Sequence, residues 1–196
     1  MTTSHDENTP TKRLFPPNSA LFSAGSHGRL WFCAIVGLAA DLWSKHWAFA
    51  TLGARENRPM IPGLVTFIKS YNEGALFGFG PGMRWVFVAA SVLAFGFVLY
   101  LFSQSARGRW SLHLALGTIL GGAMGNLYDR AVFAQVRDFI KFVPKVGRYD
   151  VWPWVFNIAD ALLVVGVALL LINLWMDKRA AEDAAARAEK AEPTAD

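Results

Sequence analysis

The sequence has few charged residues and a single cysteine. Charged side chains make up 17% of its 196 residues, whereas a soluble domain has about a quarter. One cysteine, Cys33, excludes an intrachain disulfide and a cysteine-based zinc site. The four histidines are scattered without ligand spacing. We predict no metal and no other cofactor. These shortages exclude an ordinary water-soluble enzyme and a secreted disulfide scaffold.

The net charge of +4 does not indicate nucleic-acid binding, because the basic residues are dispersed along the chain. In a membrane protein such a balance more often reflects contact with anionic headgroups. We therefore predict membrane lipids, and no nucleic acid, as partners.

Long apolar runs take the place of the missing charge. Hydrophobic residues make up 54% of the chain, and a helix that crosses ~30 Å of hydrocarbon needs roughly 20 of them in succession. Two charge-free runs, 85–106 and 110–128, reach that length alone. Two others reach it if a few polar residues lie inside the span. The sequence predicts a mainly α, polytopic membrane protein with transmembrane helices at about 30–50, 85–102, 111–128 and 155–176.

The chain divides by composition into three predicted segments. Residues 1–28 are polar and predicted to be a disordered tail, 29–176 form the four-helix transmembrane domain, and 177–196 form a charged tail. An even number of spans puts both termini on the same side of the membrane. Arg107 and Arg109 lie on that side in a short loop without acids, which favours cytoplasmic termini.

Polar residues at membrane depth carry functional information, because a charge at the bilayer centre costs about 2.5–3.5 kcal/mol. Asp41 and Lys45 are four residues apart and share a helix face, which permits an ion pair. In the third span, a ridge of glycines allows another helix to approach closely, and polar residues follow at the end of that span. The glycines are Gly117, Gly121 and Gly125, and the polar residues are Asn126, Asp129 and Arg130.

Two further aspartates lie between the third span and the start of the fourth. Asp138 precedes an extramembrane loop that leads to Asn157, and Asn157 and Asp160 are three residues apart. From the residues alone, Asp138 and Asp160 fit catalysis, but they also fit a proton relay or an ion site in a transporter that uses Lys45 as well. Asp41 and Lys45 also fit a purely structural pair. A membrane scaffold that binds a partner through the glycine ridge is a third alternative.

Five motifs stand in an order that resembles bacterial lipoprotein signal peptidase, also called signal peptidase II. The resemblance covers about residues 30–176 and leaves out both tails. Each motif alone is weak evidence, but their order and their position beside the predicted spans make the resemblance specific. The motifs are Asp41-Leu-Trp-Ser-Lys45, Asn72-Glu-Gly-Ala-Leu-Phe-Gly78, Gly121-Gly-Ala-Met-Gly-Asn-Leu-Tyr-Asp-Arg130, Val136-Arg-Asp-Phe-Ile140 and Phe156-Asn-Ile-Ala-Asp160.

The resemblance implies a role for each polar position. Some matched positions belong to the family's catalytic pair, some line the substrate site, and some form its structural polar surround. They are Asp138 and Asp160 (catalytic), Asn72, Asn126, Arg130 and Asn157 (substrate-binding), and Asp41, Lys45 and Asp129 (structural). Arg137 departs from the family pattern, in which the residue before the first catalytic aspartate is usually apolar.

The resemblance also implies a fold, a location and a reaction. The family has four transmembrane helices, a small extramembrane β-like cradle between the first two, and an active site near the outer membrane face. It works in the bacterial cytoplasmic (inner) membrane with both termini in the cytoplasm. It removes the signal peptide from prolipoproteins whose cleavage-site cysteine bears a diacylglyceryl group, and it needs no metal. A monomeric enzyme and inhibition by a cyclic lipopeptide of the globomycin type are expected on the same basis.

Carboxylate chemistry accounts for such a reaction without a cofactor. Peptide hydrolysis without a metal or a nucleophilic side chain needs a base to take a proton from water and an acid to polarise the carbonyl. Two aspartates held together cannot both ionise, so they share one proton and supply both roles. The titration belongs to the pair, so neither residue is assigned as the acid or the base.

Overall fold

Four long helices and a small sheet make up the protein. A computed structural model describes residues 14–74 and 82–191. The predicted tail residues 1–13, residues 75–78 of the second motif and residues 192–196 lie outside that description. The helices are α1 (Ala24–Thr51), α2 (Arg84–Gln104), α3 (Trp110–Phe133) and α4 (Ile158–Ala191).

Two of these helices are long and apolar enough to cross a membrane, by length and composition, within the residues that the structure describes. α2 and α4 each contain an 18-residue window with a mean hydropathy of 2.3. Only 17% of each window is buried inside the protein. Their apolar side chains therefore face outward, where lipid would contact them. For α1 and α3, membrane crossing stays a prediction.

The helix α3 lies between α1 and α4, and glycines allow the close approach. A Cβ at Gly117 would overlap the backbone carbonyl of Leu30 in α1, and a Cβ at Gly122 would lie 2.5 Å from the carbonyl oxygen of Ala159 in α4. At Gly121, a Cβ would lie 3.0 Å from the carbonyl oxygen of Ala34. The predicted glycine ridge is thus confirmed as a packing surface against α1, and Gly122 in the adjacent row provides the close approach to α4.

A four-stranded antiparallel sheet covers one end of the helices. Its spatial order is β1-β2-β3-β6, and β4 and β5 form a separate hairpin. The strands are β1 (Arg58–Ile61), β2 (Val65–Asn72), β3 (Val136–Phe142), β4 (Lys145–Val146), β5 (Tyr149–Asp150) and β6 (Val155–Phe156). The resemblance places a β-like cradle between the first two helices. Only β1 and β2 come from there, whereas β3 and β6 come from the segment between α3 and α4.

The pairing of β2 with β3 explains this composite sheet. The two strands are in register from the pair Val65 and Phe142 to the pair Asn72 and Val136, with an irregularity between Phe67 and Ser70. Phe139 of β3 is buried against Ala48 and Leu52 at the end of α1, and its ring contacts that of Phe67. Apolar burial therefore fixes β3 over α1 and with it the position of Asp138.

The chain becomes ordered earlier than the predicted end of the N-terminal tail at residue 28. A short 3-10 helix occupies Ala20–Phe22, and α1 begins at Ala24 after Ser23, whose hydroxyl accepts a hydrogen bond from the Ser26 amide at 3.3 Å. The hydroxyl of Ser19 donates to the carbonyl of Ser103 at the end of α2. Serine caps and polar contacts thus order a segment that hydropathy alone assigns to a tail.

The helix α4 continues past the predicted membrane span and through most of the charged C-terminal segment. The predicted span ends at residue 176, but the helix reaches Ala191. The additional residues are mainly alanine, glutamate, arginine and lysine, which have high helix propensity. Hydropathy therefore indicates where the apolar part ends, and helix propensity indicates where the helix ends.

Candidate active site

Two aspartates from separate elements meet at the junction of the sheet and the helices. Asp138 is buried on β3, and Asp160 is in the first turn of α4. The side chain of Asn157 contacts both residues. Its Nδ2 donates to Oδ1 of Asp138 at 2.6 Å, and its Oδ1 accepts from the backbone amide of Asp160 at 3.1 Å.

The start of α4 holds Asp160 by a capping box. The backbone amide of Asn157 donates to Oδ2 of Asp160 at 3.1 Å, which reciprocates the bond from the Asp160 amide to Asn157. This exchange satisfies two amides that a helix leaves unpaired at its first turn. The spacing of three residues, visible in the sequence, is the spacing that this motif requires.

A second amide, from α3, holds the other oxygen of Asp160. Nδ2 of Asn126 donates to Oδ1 of Asp160 at 2.8 Å. Oδ1 of Asn126 accepts from Nδ2 of Asn157 at 3.1 Å and from Nζ of Lys45 at 3.0 Å. Asn126, Asn157 and Asp160, which were all predicted as site residues, are therefore linked by hydrogen bonds. In the sequence, 31 residues separate Asn126 from Asn157.

A third amide comes from the sheet. Nδ2 of Asn72, the last residue of β2, donates to Oδ2 of Asp138 at 3.1 Å. Its Oδ1 accepts from the backbone amide of Gly74 at 3.0 Å. Both carboxyl oxygens of Asp138 thus have amide donors, one from β2 and one from Asn157.

The environment of Asp138 changes its protonation. Burial raises the pKa of Asp138 to about 7, and the nearby carboxylate of Asp160 adds to the increase, while the amides of Asn157 and Asn72 and the charge of Lys45 oppose it. A carboxyl that is desolvated beside a second carboxyl retains its proton near neutral pH. The geometry is therefore suited to a pair that shares one proton.

A cavity beside Asp160 contains polar groups from three helices. It has a volume of about 260 Å³ and lies between α2, α3 and α4, with Asn126, Arg130, Asp160 and Ser91 among its lining residues. Nη2 of Arg130 donates to the carbonyl of Gly74 at 3.0 Å, and its guanidinium lies 5.3 Å from the ring centre of Phe87. The guanidinium is thus already bound to a backbone carbonyl at the edge of the site.

A second cavity lies on the other side of Asp160 and is almost entirely apolar. Its volume is about 340 Å³. It is lined by Phe142, Trp152, Phe156, Asp160, Ala161, Val164 and Val165. Asp160 therefore borders a polar cavity on one side and an apolar cavity on the other.

The structural polar residues form a buried charge cluster behind the site. Nζ of Lys45 lies 2.7 Å from Oδ2 of Asp41 and 3.4 Å from Oδ2 of Asp129, and all three side chains have 0% exposure. Oδ1 of Asp41 accepts from the backbone amide of Ala159 at 2.9 Å. The cluster therefore ties α1 to α3 and to the first turn of α4, which carries Asp160.

Two contacts of this cluster do not follow from sequence reasoning. Gly125 allows Asp41 to lie against α3, because a Cβ there would overlap Oδ2 of Asp41. Arg137 binds Asp129, with Nη2 to Oδ1 at 2.7 Å. The available signal for Arg137 was a charge at the position before Asp138, where the family usually has an apolar residue. Its partner Asp129 is eight residues away, across a strand–helix junction.

Potential metal ligands do not cluster in the described part of the chain. Within residues 14–74 and 82–191, no three His, Cys, Asp or Glu side chains are grouped as a metal site would require. The site is built from carboxyl, amide, ammonium and guanidinium groups.

The fold and the site together define a mainly helical protein with membrane-compatible helices and an aspartate pair beside a small sheet. The chain belongs to the signal peptidase II family, because the sequence model of that family matches residues 33–176. It is thus a peptidase of a membrane-protein family, and the resemblance of its motifs is confirmed. It is similar to the lipoprotein signal peptidase of Alteromonas mediterranea, with 37% identity over 162 residues that cover 80% of this chain and 86% of that protein. The corresponding protein of Desulfitobacterium hafniense is 39% identical over 124 residues, covering 63% of this chain and 78% of its own length.

Two solved structures are similar in fold. Both are described as bacterial membrane enzymes determined by the in meso method, at 2.3 Å and 1.9 Å resolution. The first matches with a TM-score of 0.70 and 26% identity over 77% of this chain and 90% of that chain. The second matches with a TM-score of 0.66 and 26% identity over 75% of this chain and 92% of that chain.

Proposed function

We propose that the protein is a membrane-embedded aspartic endopeptidase that cleaves the signal peptide from diacylglyceryl-modified prolipoproteins, just before the lipidated cysteine. The observation that carries this proposal is the bridge that Asn157 makes between Asp138 and Asp160, beside cavities able to admit a substrate. Membership of the signal peptidase II family supports the same substrate class.

Hydrolysis follows from the shared proton of the pair. One carboxylate takes a proton from a water molecule, whose oxygen forms a bond to the scissile carbonyl carbon. The protonated partner donates its hydrogen to the carbonyl oxygen, which gives a neutral tetrahedral diol. The pair then gives its proton to the amide nitrogen, and the C–N bond breaks as one hydroxyl of the diol returns its proton to the pair. The products are a carboxylic acid and an amine, and the pair again holds one proton.

The three asparagines preorganise the pair for this chemistry. Asn72 and Asn157 each bind one oxygen of Asp138, and Asn126 binds Oδ1 of Asp160. Fixed amide donors hold the carboxyl planes in one orientation, so that little reorganisation is needed when charge moves. Asn126 and Asn157 therefore act on the acids rather than only on the substrate.

The two cavities beside Asp160 suit the two parts of the substrate. We assign the peptide backbone to the cavity with Arg130, whose guanidinium can exchange the carbonyl of Gly74 for a substrate carbonyl. We assign the diacylglyceryl chains to the apolar cavity between Trp152, Phe156 and Val164. The scissile bond then lies at Asp160, between the two.

The membrane arrangement completes the proposal. All four helices cross the bacterial cytoplasmic (inner) membrane, the site lies near its outer face, and both termini are cytoplasmic. Arg107 and Arg109 lie between α2 and α3, at the opposite end from the sheet, which agrees with a cytoplasmic position for that loop. The enzyme acts as a monomer, and a cyclic lipopeptide of the globomycin type competes with the prolipoprotein.

The test is cleavage of a synthetic diacylglyceryl-modified signal peptide by the purified protein in detergent. We expect Asp138→Asn and Asp160→Asn each to abolish cleavage, because neither variant retains two carboxyls to share a proton. The matched control is Asp150→Asn, since Asp150 lies on β5 and pairs with Lys145 away from the site. Normal cleavage by either site variant would refute the aspartate mechanism.

A further inference from the structure

Four ionic side chains form a continuous line from α1 to β3. Lys45 lies between Asp41 and Asp129, and Arg137 follows on the far side of Asp129. The first three side chains have 0% exposure, and that of Arg137 has 12%. The line alternates in sign, so its formal charges cancel only when all four residues are present.

Arg137 is the main cationic partner of Asp129. Its Nη2 lies 2.7 Å from Oδ1, its Nε lies 3.2 Å from each oxygen, and its backbone amide donates to Oδ2 at 3.0 Å. Nζ of Lys45 is farther from Asp129, at 3.4 Å. The guanidinium also lies 4.4 Å from the ring centre of Phe133, which holds it in place.

The position of Lys45 bears on the acid pair through Asn126. Nζ of Lys45 donates to Oδ1 of Asn126 at 3.0 Å. An ammonium group has donors and no acceptor, so it requires the amide oxygen on its side. The amide nitrogen of Asn126 must then point the other way, towards Oδ1 of Asp160.

We propose that Arg137 is a positioning residue for the acid pair, an inference that rests on the proposed function. Arg137 neutralises Asp129, so that Lys45 stays bound to Asp41 and Asn126. Asn126 in turn orients Asp160. Arg137 also ties the start of β3 to the end of α3, one residue before Asp138. It does not line either cavity beside Asp160, so it acts through its neighbours and not on the substrate.

Loss of Arg137 should change both geometry and charge near the site. Asp129 would then attract Lys45 away from Asn126, and the buried line would carry one uncompensated negative charge. The charged groups that face the pair and this line are Lys45 and Asp41 from α1, Arg130 and Asp129 from α3, and Arg137 from β3, while β2 contributes the neutral Asn72. The added negative charge raises the pKa of Asp138, because it disfavours a second anion nearby.

The experiment compares Arg137→Met with Arg137→Lys and the control Arg148→Met. Arg148 is exposed, and its guanidinium bonds to the hydroxyl of Tyr149 in the hairpin. The measurement is kcat and KM for the synthetic diacylglyceryl-modified peptide across pH. We expect Arg137→Met to lower kcat about tenfold with KM changed less than about twofold, as for a group that acts without touching substrate.

The pH profile separates positioning from packing. In Arg137→Met, the acidic and alkaline limbs of the kcat profile should both shift to higher pH by about half a unit, because loss of a neighbouring cation raises the pKa values of the carboxyl pair. Arg137→Lys should return the limbs towards those of the unaltered protein, and Arg148→Met should leave them unchanged. If Arg137→Met fails to fold in detergent, Arg137→Gln takes its place, because it removes the charge and keeps a polar group beside Asp129. The same decrease in kcat and the same shift of the limbs, relieved in Arg137→Lys, then support the inference.

Two results would overturn the inference. One is an Arg137→Met enzyme with wild-type kcat and pH limbs. The other is a decrease in kcat that the lysine variant does not relieve and that leaves the pH limbs in place. Failure of the unaltered protein to cleave the peptide would instead contradict the proposed function, so the two failures are distinguishable.

Discussion

The two ends of the helical bundle bury polar groups in different ways. At the end away from the sheet, the buried groups are neutral: the hydroxyl of Ser26 donates to the carbonyl of Arg107 at 3.2 Å, and Ser105 bonds to His113 at 3.0 Å. At the sheet end, Asp41, Lys45 and Asp129 are ionic and have no exposure.

The difference indicates where the function lies. Neutral hydrogen bonds are sufficient to join helix ends, and each contributes about 1 kcal/mol. Desolvating an ion costs several kcal/mol before any pairing is counted. Stability alone therefore does not require the ionic end. Under the proposed function, its role is to orient the acid pair through the contact of Lys45 with Asn126. The comparison can be tested by changing one group at each end.

The largest effect is expected at Lys45. The change Lys45→Met leaves Asp41 and Asp129 buried without their shared cation, which should lower the free energy of unfolding by about 3–5 kcal/mol. Thermal unfolding in detergent measures this. The control Lys145→Met removes an exposed ion pair with Asp150, which contributes at most about 1 kcal/mol. Equal losses in the two variants would contradict the distinction between the ends.

A smaller effect is expected where α3 packs on α1. A leucine at Gly121 would enter the space of the Ala34 carbonyl and the Gly37 backbone. Overfilling of this kind costs about 1–3 kcal/mol, again read from thermal unfolding. The control is Gly96→Leu on α2, because a Cβ at Gly96 has nothing within 4 Å. An unchanged unfolding temperature for Gly121→Leu would argue against the packing role of the ridge.

The pH dependence of cleavage tests the protonation of the sheet end. Because the pKa of Asp138 is about 7, the pair keeps its shared proton below that pH and loses it above. The value of kcat should therefore fall about tenfold per pH unit on the alkaline side. At low pH it should fall again, when the second carboxyl gains a proton. A profile that stays flat well above pH 7 would exclude a shared proton.

The smallest effect is expected at the neutral end. The change Ser19→Ala removes the bond to the Ser103 carbonyl and should lower the free energy of unfolding by about 1 kcal/mol. Cleavage of the modified peptide should stay within experimental error. A loss of turnover in this variant would mean that the neutral end also contributes to catalysis.

Much of the helical architecture could be predicted because apolar length is a local property. The second span, predicted at 85–102, is observed as Arg84–Gln104. The helices are longer than the predicted spans, because caps and helix formers set helix ends: α1 begins at Ala24, before the span start at 30, and α4 continues beyond the span end at 176. A hydropathy profile detects neither the serine cap that starts α1 nor the helix propensity of the charged residues that extend α4.

The site could be predicted where its contacts are local. Asp41 and Lys45 pair across one helical turn, and Asn157 and Asp160 bond across three residues. The family resemblance placed Asn126 in the substrate site, but its contact with Asp160 was not predicted, because that contact depends on how α3 and α4 pack.

The amino-acid sequence by itself determined the four helices, the small residues between them and the acids that interrupt them, since periodicity, length and spacing act within a few turns. Only the tertiary structure decided that β3 pairs with β2 and that Arg137 meets Asp129. Those contacts depend on the packing of Phe139 over α1 and on strand register, which a linear sequence does not encode at any fixed spacing.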